Sequence, residues 1–595
     1  MNILGAKIHE HDTGAALISG KKVFAIAEER LTRVKHSPRM FPSHSIDYCL
    51  QVANLKPEEI DLVVLDKNSR GTHSSEEIFH ENTAGKFKNV RCITVGHHDA
   101  HAASAFFCSP FESAAILVYD GAGDLFVSNS GIRAVETETL YRGEGSTCVP
   151  ISKTLHERTS SRHVPFTCGM GKLYSTFSRE YLGMGNHNEG KMMGLAAYGD
   201  DSFLKQFPLE RWVAEHADIL VCNRRLVFSS TSRLAHHVRR GLISTLTVLY
   251  SALRMKVKRV LGLLVASDIR NPEIFEEIRF PRPARNPGTT TVPEPYYNSV
   301  AYAAQKIFEH FAIRIGTKLR AITQSENLCV AGGCALNIDA NRNFLTHVGF
   351  KDLFVQPASA DCGIALGCAL WGKHVILQQP RDWVMKSASL GRVYTEKEID
   401  AAIEARKGEI ESRISNTVTA EVAKLISESK IIGWFQGGSE YGPRALGNRS
   451  ILFDARDPEG KDILNKRVKH REMWRPFATS ILAESLEEWF DLVPNTTTAF
   501  MLLAAAIPEE KRKLVPSIVH VDNTCRMQTL TKEGNGIYYD LVSEFEKITG
   551  VPLVLNTSFN LAGDPIVETP ADALDTFLRT DMDYLVLHDR IVWKK

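Results

Sequence analysis

Two apolar runs that stop at glycine constrain this chain more than any other feature. "SAAILVYDGAGD" (113–124) and "ENLCVAGGCALNIDANRNFL" (326–345) each read as a buried strand feeding a glycine turn, and the second turn opens a helix. Such strands present their last residues at the carboxyl edge of a sheet. "IDLVVLD" (60–66) is a third run of this kind. Ahead of it, "MNILGAKI", "TGAALISG" and "KKVFAIAEER" predict three short strands in a meander, with Gly20, Lys21 and Lys22 at a tight turn and a helix after the third. The pattern predicts a two-lobed α/β nucleotide-binding architecture.

At 595 residues the chain exceeds one ordinary core, so a second unit is expected. Residues 378–397 have the composition of a linker. Beyond them a further α/β unit is predicted, with a helix over "EIDAAIEARKGEIESRI", a strand at "IIGWFQGG" and another near "PLVLNTSFN". Residues 200–297 read as an insertion in the first unit. Its most apolar part, 241–267, is interrupted by Arg254, Lys256, Lys258 and Arg259, so it falls short of the roughly 20 apolar residues that span a bilayer. It predicts packed helices. The first residues show no signal-peptide pattern. Eleven cysteines without a C-x-x-C pair argue against a disulfide framework and a cysteine zinc site, and make a reducing cytoplasm the simplest location. A formal net charge of +1 gives no reason to expect a nucleic acid as partner.

"GHHDAHAASAFF" (96–107) is the densest polar cluster. On a helix starting near residue 97, His97 and His101 share one face at i, i+4 and can grip one metal ion. His98 and Asp99 then point elsewhere. Asp120, at the end of the next strand, and Asp361, before a glycine-opened helix, are candidates to complete a site. The competing reading is a helix start whose histidines bond the backbone. The glycines of "YDGAGD" and "AGGCALN" let backbone N–H groups approach phosphate, although glycines at such turns are often structural. Their pairing resembles the two phosphate loops of the actin-like ATPase (ASKHA) fold.

The second unit is rich in cations. "GSEYGPRALGNRSIL" carries Arg444 and Arg449; "KRVKHREMWRPFATSIL" adds Lys466, Arg467, Lys469, Arg471 and Arg475. Guanidinium and ammonium groups near glycines suit phosphate or carboxylate. "LNTSFN" adds Asn556, Thr557, Ser558 and Asn560. The set suits a site for two anionic reactants, with a basic exposed loop as the alternative.

"HDTGAAL", "AEERLTRVKH", "GHHDAHAASAF", "YDGAGD", "NEGKMMGLAAYG", "AGGCALN", "DCGIALG", "GPRALGNRSIL", "KHREMWRPFA" and "LNTSFN" occur in order over nearly the whole chain. As a set they resemble the NodU/CmcH O-carbamoyltransferase family. The resemblance implies an N-terminal ASKHA domain (1–380, with the 200–297 insertion) similar to the tRNA threonylcarbamoyl-transfer domain, a linker (381–397) and a C-terminal YrdC-like α/β domain (398–595). It implies that the C-terminal domain makes carbamoyladenylate from carbamoyl phosphate and ATP with Mg(2+). The N-terminal domain then passes the carbamoyl group to a hydroxyl of a small-molecule or glycan acceptor. It implies a divalent metal, Fe(2+) or another, on His97, His101, Asp120 and Asp361. Gly121, Gly123, Gly171, Gly332, Gly333 and Asn337 are implied to line the adenylate, with Glu189 and Lys191 reaching its ribose or phosphate. Lys35 and His11 fall on the acceptor side, His11 as candidate general base with Asp12 as rival. Arg444, Arg449, Lys469, Arg471, Arg475, Asn556 and Ser558 are implied to bind carbamoyl phosphate and ATP.

Carbamoylation of tRNA or of a protein thiol, an ASKHA-type kinase and a non-catalytic adenylate-binding regulator are the rival functions. Neutral net charge weighs against tRNA and the missing C-x-x-C zinc fingers against the thiol. A kinase requires neither the His-x-x-x-His pair nor the second unit, and a regulator has no use for an intact set of site residues. The acceptor and the oligomeric state have no signature in the sequence.

Overall fold

The computed structural model describes residues 1–69, 71–127, 133–157, 169–202, 204–206, 295–493, 496 and 498–595. The helices expected at 241–267 and all but the ends of the 200–297 insertion lie outside these residues.

Three mixed sheets organise the chain. The first holds β1 (Asn2–Lys7), β2 (Gly14–Ser19), β3 (Lys22–Ala27), β4 (Leu62–Asp66) and β5 (Arg91–Val95) in the order β3-β2-β1-β4-β5. The first three strands are antiparallel; β1, β4 and β5 are parallel. The second sheet holds β6 (Ser113–Tyr119), β7 (Leu125–Val127), β8 (Arg133–Glu144), β9 (Thr147–Glu157), β10 (Asn327–Ala331) and β11 (Asp352–Val355). Leaving aside the short β7, its order is β9-β8-β6-β10-β11, antiparallel through β6 and parallel beyond it. The two sheets therefore repeat one topology, a duplication that no sequence period announces. The continuous apolar runs are explained by burial: all of β4 is buried, and β6 is buried from Ala114 to Tyr119.

Two helices, His97–Phe106 and Ile364–Trp371, pack on each other between these sheets. Small residues set how close they come. A Cβ on Gly367 would lie 2.7 Å from the Ala100 carbonyl carbon, and one on Gly5 of β1 would meet the Ala369 side chain at 3.0 Å. The alanines and glycines of "GHHDAHAASAF" and "DCGIALG" thus permit backbone contact between the two helices, and that contact sets His101 beside Asp361.

The third sheet has nine strands: β12 (Ile410–Ile414), β13 (Ile432–Phe435), β14 (Arg449–Phe453), β15 (Ala478–Leu482), β16 (Ala504–Ala506), β17 (Thr524–Leu530), β18 (Leu553–Ser558), β19 (Tyr584–Leu587) and β20 (Arg590–Lys594). Their order is β12-β20-β19-β13-β14-β18-β15-β17-β16. One expectation is corrected here. The helix predicted across 398–414 ends at Glu404, and 410–414 is edge strand β12, paired antiparallel with β20. Gly408 interrupts the helical run, and pairing with β20 outweighs the remaining propensity. Among the described residues, no helix is long and apolar enough to cross a membrane.

Candidate active site

The helix His97–Phe106 starts at Gly96, so His97 and His101 fall on one face, as the spacing requires. Their rings meet edge to face at 4.9 Å. His97 Nε2 lies 3.2 Å from Asp120 Oδ2 and 3.6 Å from Asp361 Oδ1; His101 Nε2 lies 3.7 Å from that same Asp361 oxygen. Ligand atoms of these four residues all fall within 4.8 Å of one another. Both ring nitrogens of the fully buried His101 have no hydrogen-bond partner. Two imidazoles and two carboxylates converging with a single hydrogen bond among them, His97 to Asp120, fit a divalent cation of borderline hardness.

The other oxygen of each carboxylate is held from behind. Gly333 N–H donates to Asp120 Oδ1 at 2.9 Å, and buried Lys7 approaches Asp361 Oδ2 at 3.6 Å. Burial opposes ionisation of both acids. The adjacent imidazoles, and Lys7 for Asp361, nevertheless keep both below the usual carboxylate range. Lys7 also faces Asp66 at 3.5 Å. Sequence reading missed it, because a lysine closing a strand carries no local sign of so distant a partner. His98 turns away, bonded through Nδ1 to Thr139 at 2.7 Å, and burial lowers its pKa to about 3.

A single cavity of about 1680 Å³ runs from this centre to the third sheet. Asp120, Gly121, Gly171, Glu189, Gly333, Asn337 and Asp361 line it on one side, with His11 and Lys35; Arg444, Lys469, Arg471, Arg475, Asn556 and Ser558 line it on the other. Glu189 accepts from Ser175 at 2.6 Å. Asn337 caps the helix Ile338–Thr346. Gly171 sits where a Cβ would meet Cys334 Sγ at 2.8 Å. His97 and His101 stand behind this wall.

Four other expected contributors lie elsewhere, for physical reasons. A Cβ on Gly332 would hit the Tyr119 backbone; the residue holds φ +94° and its N–H bonds Ser359 O, so it shapes the turn. Gly123 is packed under Glu136 and His98. Lys191 pairs with Glu472 at 2.8 Å. Arg449 is fully buried, stacks 3.6 Å over Phe435 and donates to the Gln436, Gly437 and Glu568 carbonyls, clamping the loop that precedes it.

The cationic wall is anomalous for a resting protein. Among the described residues, Arg444, Lys469, Arg471 and Arg526 have no carboxylate within ion-pair distance. Burial, then mutual repulsion, pushes Arg444, Lys469 and Arg471 well below their ordinary values, and Arg526 to about 10. Lys469 donates only to oxygens of Ser558 and Asn560, the latter at 3.1 Å. Lys469 is buried and the three arginines are half-buried at the cavity wall; cations so placed without a carboxylate await an anion. Arg526, alone in β17, is a member that the sequence does not reveal.

Around His11 the geometry is a relay. His11 Nδ1 meets Asp12 Oδ2 at 2.9 Å, and His36 Nδ1 meets Asp12 Oδ1 at 2.8 Å. His187 stacks on His36 at 4.4 Å. The bond to Asp12 raises His11 to about 9 against the effect of burial. Burial opposes ionisation of Asp12, but the two imidazoles hold it at about 2. A free imidazole near neutral pH, the expectation for His11, is replaced by a His–Asp–His triplet. The "AEERLTR" motif is mainly structural: Arg30 and Arg33 donate to carbonyls of Gly442, Pro565 and Ile566 at 2.7–2.8 Å and join the third sheet to the first. Gly442, at φ +120°, packs on Pro357, so the arginine loop abuts the loop carrying Asp361.

Comparison with known proteins accords with this arrangement. The family model for the carbamoyltransferase N-terminus matches residues 2–84 and 78–370, and that for the carbamoyltransferase C-terminus matches 423–594. An uncharacterized protein of Synechocystis sp. is 32% identical over 100% of this chain and 97% of its own length. Nodulation protein NolNO of Sinorhizobium fredii is 31% identical over 99% of this chain and 81% of its own. Nodulation protein NolO of Bradyrhizobium diazoefficiens is 32% identical over 84% and 79%. Among solved structures, T. kodakarensis HypF matches with a TM-score of 0.31 at 14% identity, over 63% of this chain and 47% of that one. With both family models and near full-length relatives in agreement, the chain belongs to the carbamoyltransferase family.

Proposed function

We propose that this protein is an ATP-dependent O-carbamoyltransferase working in two steps within one enclosed space. The observation that carries the reading is the continuous cavity, with a wall of cations at one end, most without a carboxylate partner among the described residues, and the His97, His101, Asp120 and Asp361 cluster at the other. We assign the first step to the cationic end, in a YrdC-like domain over 398–595. There carbamoyl phosphate and water give carbamate and phosphate; the carbamate oxygen then attacks the α-phosphorus of ATP, giving carbamoyladenylate and pyrophosphate. Arg444, Lys469, Arg471 and Arg475 hold the anionic oxygens, and Ser558 and Asn556 offer polar contacts beside them.

The second step belongs to an ASKHA domain over 1–380, joined through 381–397. The repeated sheet topology and the two glycine turns at β6 and β10 support that assignment. Gly121, Gly171 and Gly333 give the adenylate close backbone approach, and Glu189 and Asn337 offer it polar contacts. The acceptor hydroxyl attacks the carbamoyl carbon, AMP leaves, and the hydroxyl proton passes to the Asp12 carboxylate between His11 and His36, with Lys35 on the acceptor side. A divalent metal such as Fe(2+) on the four ligands would polarise the carbamoyl oxygen when bound. Enclosure keeps the adenylate from water. A small-molecule or glycan hydroxyl is the acceptor that cavity and charge suit.

The test is pyrophosphate release from ATP with Mg(2+), with and without carbamoyl phosphate and with no acceptor. Release that requires carbamoyl phosphate is expected. No release from metal-loaded protein that binds ATP would overturn the reading.

A further inference from the structure

The helix Glu189–Ala196 belongs to the N-terminal half, yet much of what it touches belongs to the C-terminal half. Gly194 packs against Pro476, where a Cβ would lie 3.1 Å from the ring, and its carbonyl accepts from His520 Nε2 at 3.0 Å. Glu189, in the first turn, lines the cavity. Two residues on, Lys191 leaves it and reaches Glu472 at 2.8 Å. Glu472 lies within the run that supplies Lys469, Arg471 and Arg475. It is 7% exposed and stands 3.7 Å from Arg475, the one of those three cations with an acid in ion-pair range among the described residues. Lys191 is thus the counter-charge of the single acid placed to compete for the cationic wall.

We infer that Lys191 is a positioning residue for the anion site: it occupies Glu472, so that the Arg475 guanidinium stays turned toward the cavity and available to a bound phosphate. Without Lys191, the buried Glu472 carboxylate keeps only Arg475 as a partner. A buried carboxylate takes the nearest cation, because leaving it unpaired costs more than closing a gap of about 1 Å. Arg475 is then drawn behind the wall, and the site loses one of its charges. An N-terminal residue therefore tunes the affinity of a site built from the C-terminal half. The inference rests on the proposed function only for what the anion is, since the charge argument holds for any phosphate ligand.

The experiment uses the full chain and inorganic pyrophosphate as probe, by titration calorimetry, beside initial rates of pyrophosphate release. Lys191→Ala is expected to weaken pyrophosphate about tenfold, well short of the roughly thousandfold of one full charge contact at 4 Å and an effective dielectric near 20, because Arg475 is drawn back and not removed, and to raise the KM for carbamoyl phosphate with little change in kcat. Lys191→Arg keeps wild-type values. The decisive variant is Lys191→Ala with Glu472→Gln, which removes the competing acid: affinity returns to within about twofold of wild type. A double variant as weak as Lys191→Ala, or a single variant that binds normally, overturns the inference. So does a wild-type protein that fails to bind pyrophosphate. If Lys191→Ala does not fold, Glu472→Gln alone decides: unchanged or tighter binding is expected, and a tenfold loss refutes it. Wild-type binding without turnover would refute the proposed reaction and leave this inference standing.

Discussion

Replacing Gly367 by alanine tests whether close helix packing holds the candidate metal ligands in place. The added Cβ would lie 2.7 Å from the Ala100 carbonyl carbon and 3.2 Å from its Cα, and nearer still to the oxygen. Carbon atoms settle at about 3.5–4.0 Å, so the helices His97–Phe106 and Ile364–Trp371 must separate by roughly 1 Å. The atoms in the way are backbone, which no rotamer change relieves. Overpacking of this kind costs about 3 kcal/mol, at the upper end of its range, and alanine's helix preference returns about 1 kcal/mol. The net loss is about 2 kcal/mol. The larger effect falls on the site. Ala100 precedes His101, and Gly367 lies on the helix that follows Asp361, whereas metal–ligand distances tolerate only about 0.2 Å. A separation near 1 Å exceeds that several times over, and metal affinity falls at least ~10-fold. The assay is bound metal by elemental analysis after equilibration with a competing chelator, with melting temperature recorded in parallel. Gly372→Ala is the control: its Cβ would meet the side-chain ends of Val64, Leu62 and Ile3, which can yield, so it destabilises without lowering metal affinity. Wild-type affinity in Gly367→Ala would refute the reasoning.

Three further outcomes are expected. Lys469→Ala should lower carbamoyl-phosphate-dependent pyrophosphate release at least ~100-fold while bound metal stays unchanged; loss of both would show that the two ends of the cavity are not separate sites. Arg526→Met removes a half-buried cation with no acidic partner among the described residues, so the melting temperature should hold or rise while pyrophosphate affinity falls; a fall in melting temperature would show that the charge is satisfied. Asp12→Asn tests the triplet through pH. His11 is raised to about 9, so its contribution is complete below about 6.5 and is lost as pH rises through 9. Asp12 is depressed to about 2, so its contribution is present above about 4 and is lost as pH falls through 2. The gap in melting temperature between wild type and Asp12→Asn should therefore narrow between pH 6.5 and 9, and a constant gap would exclude a protonated His11.

What the sequence made legible follows a physical rule. The His97–His101 pair could be read because a helix turns i and i+4 to one face, and Asp120 because a buried strand must expose its last residue. Both signals are local. Lys7, Arg526 and the place of His36 beside Asp12 were out of reach because each depends on surroundings brought near by tertiary folding. Lys7 meets Asp361 across 354 positions of chain. Arg449 and Lys191 show the opposite failure. Residue type and neighbourhood are the same for an arginine that faces the cavity and one that clamps a loop, and only burial and geometry separate Arg449 from Arg444. The helix expected over 398–414 failed for a related reason: pairing with β20 is a nonlocal reward that amphipathic spacing does not encode.

On the proposed reaction, the charge arrangement also gives the cavity a direction. Carbamoyl phosphate and ATP are polyanions, and the Arg444, Lys469, Arg471, Arg475 and Arg526 wall attracts both strongly because, among the described residues, only Arg475 has an acid in ion-pair range. Carbamoyladenylate carries a single negative charge, so once pyrophosphate forms the wall holds the pyrophosphate more tightly than the adenylate. The other end offers what the adenylate does use: glycine N–H groups at the Gly121 and Gly333 turns, and a cation on His97, His101, Asp120 and Asp361. The fall in charge at the first step therefore weakens the intermediate's hold on the site that made it and leaves its hold on the site that consumes it. The enclosing walls convert that difference into transfer from one end to the other instead of escape to solvent.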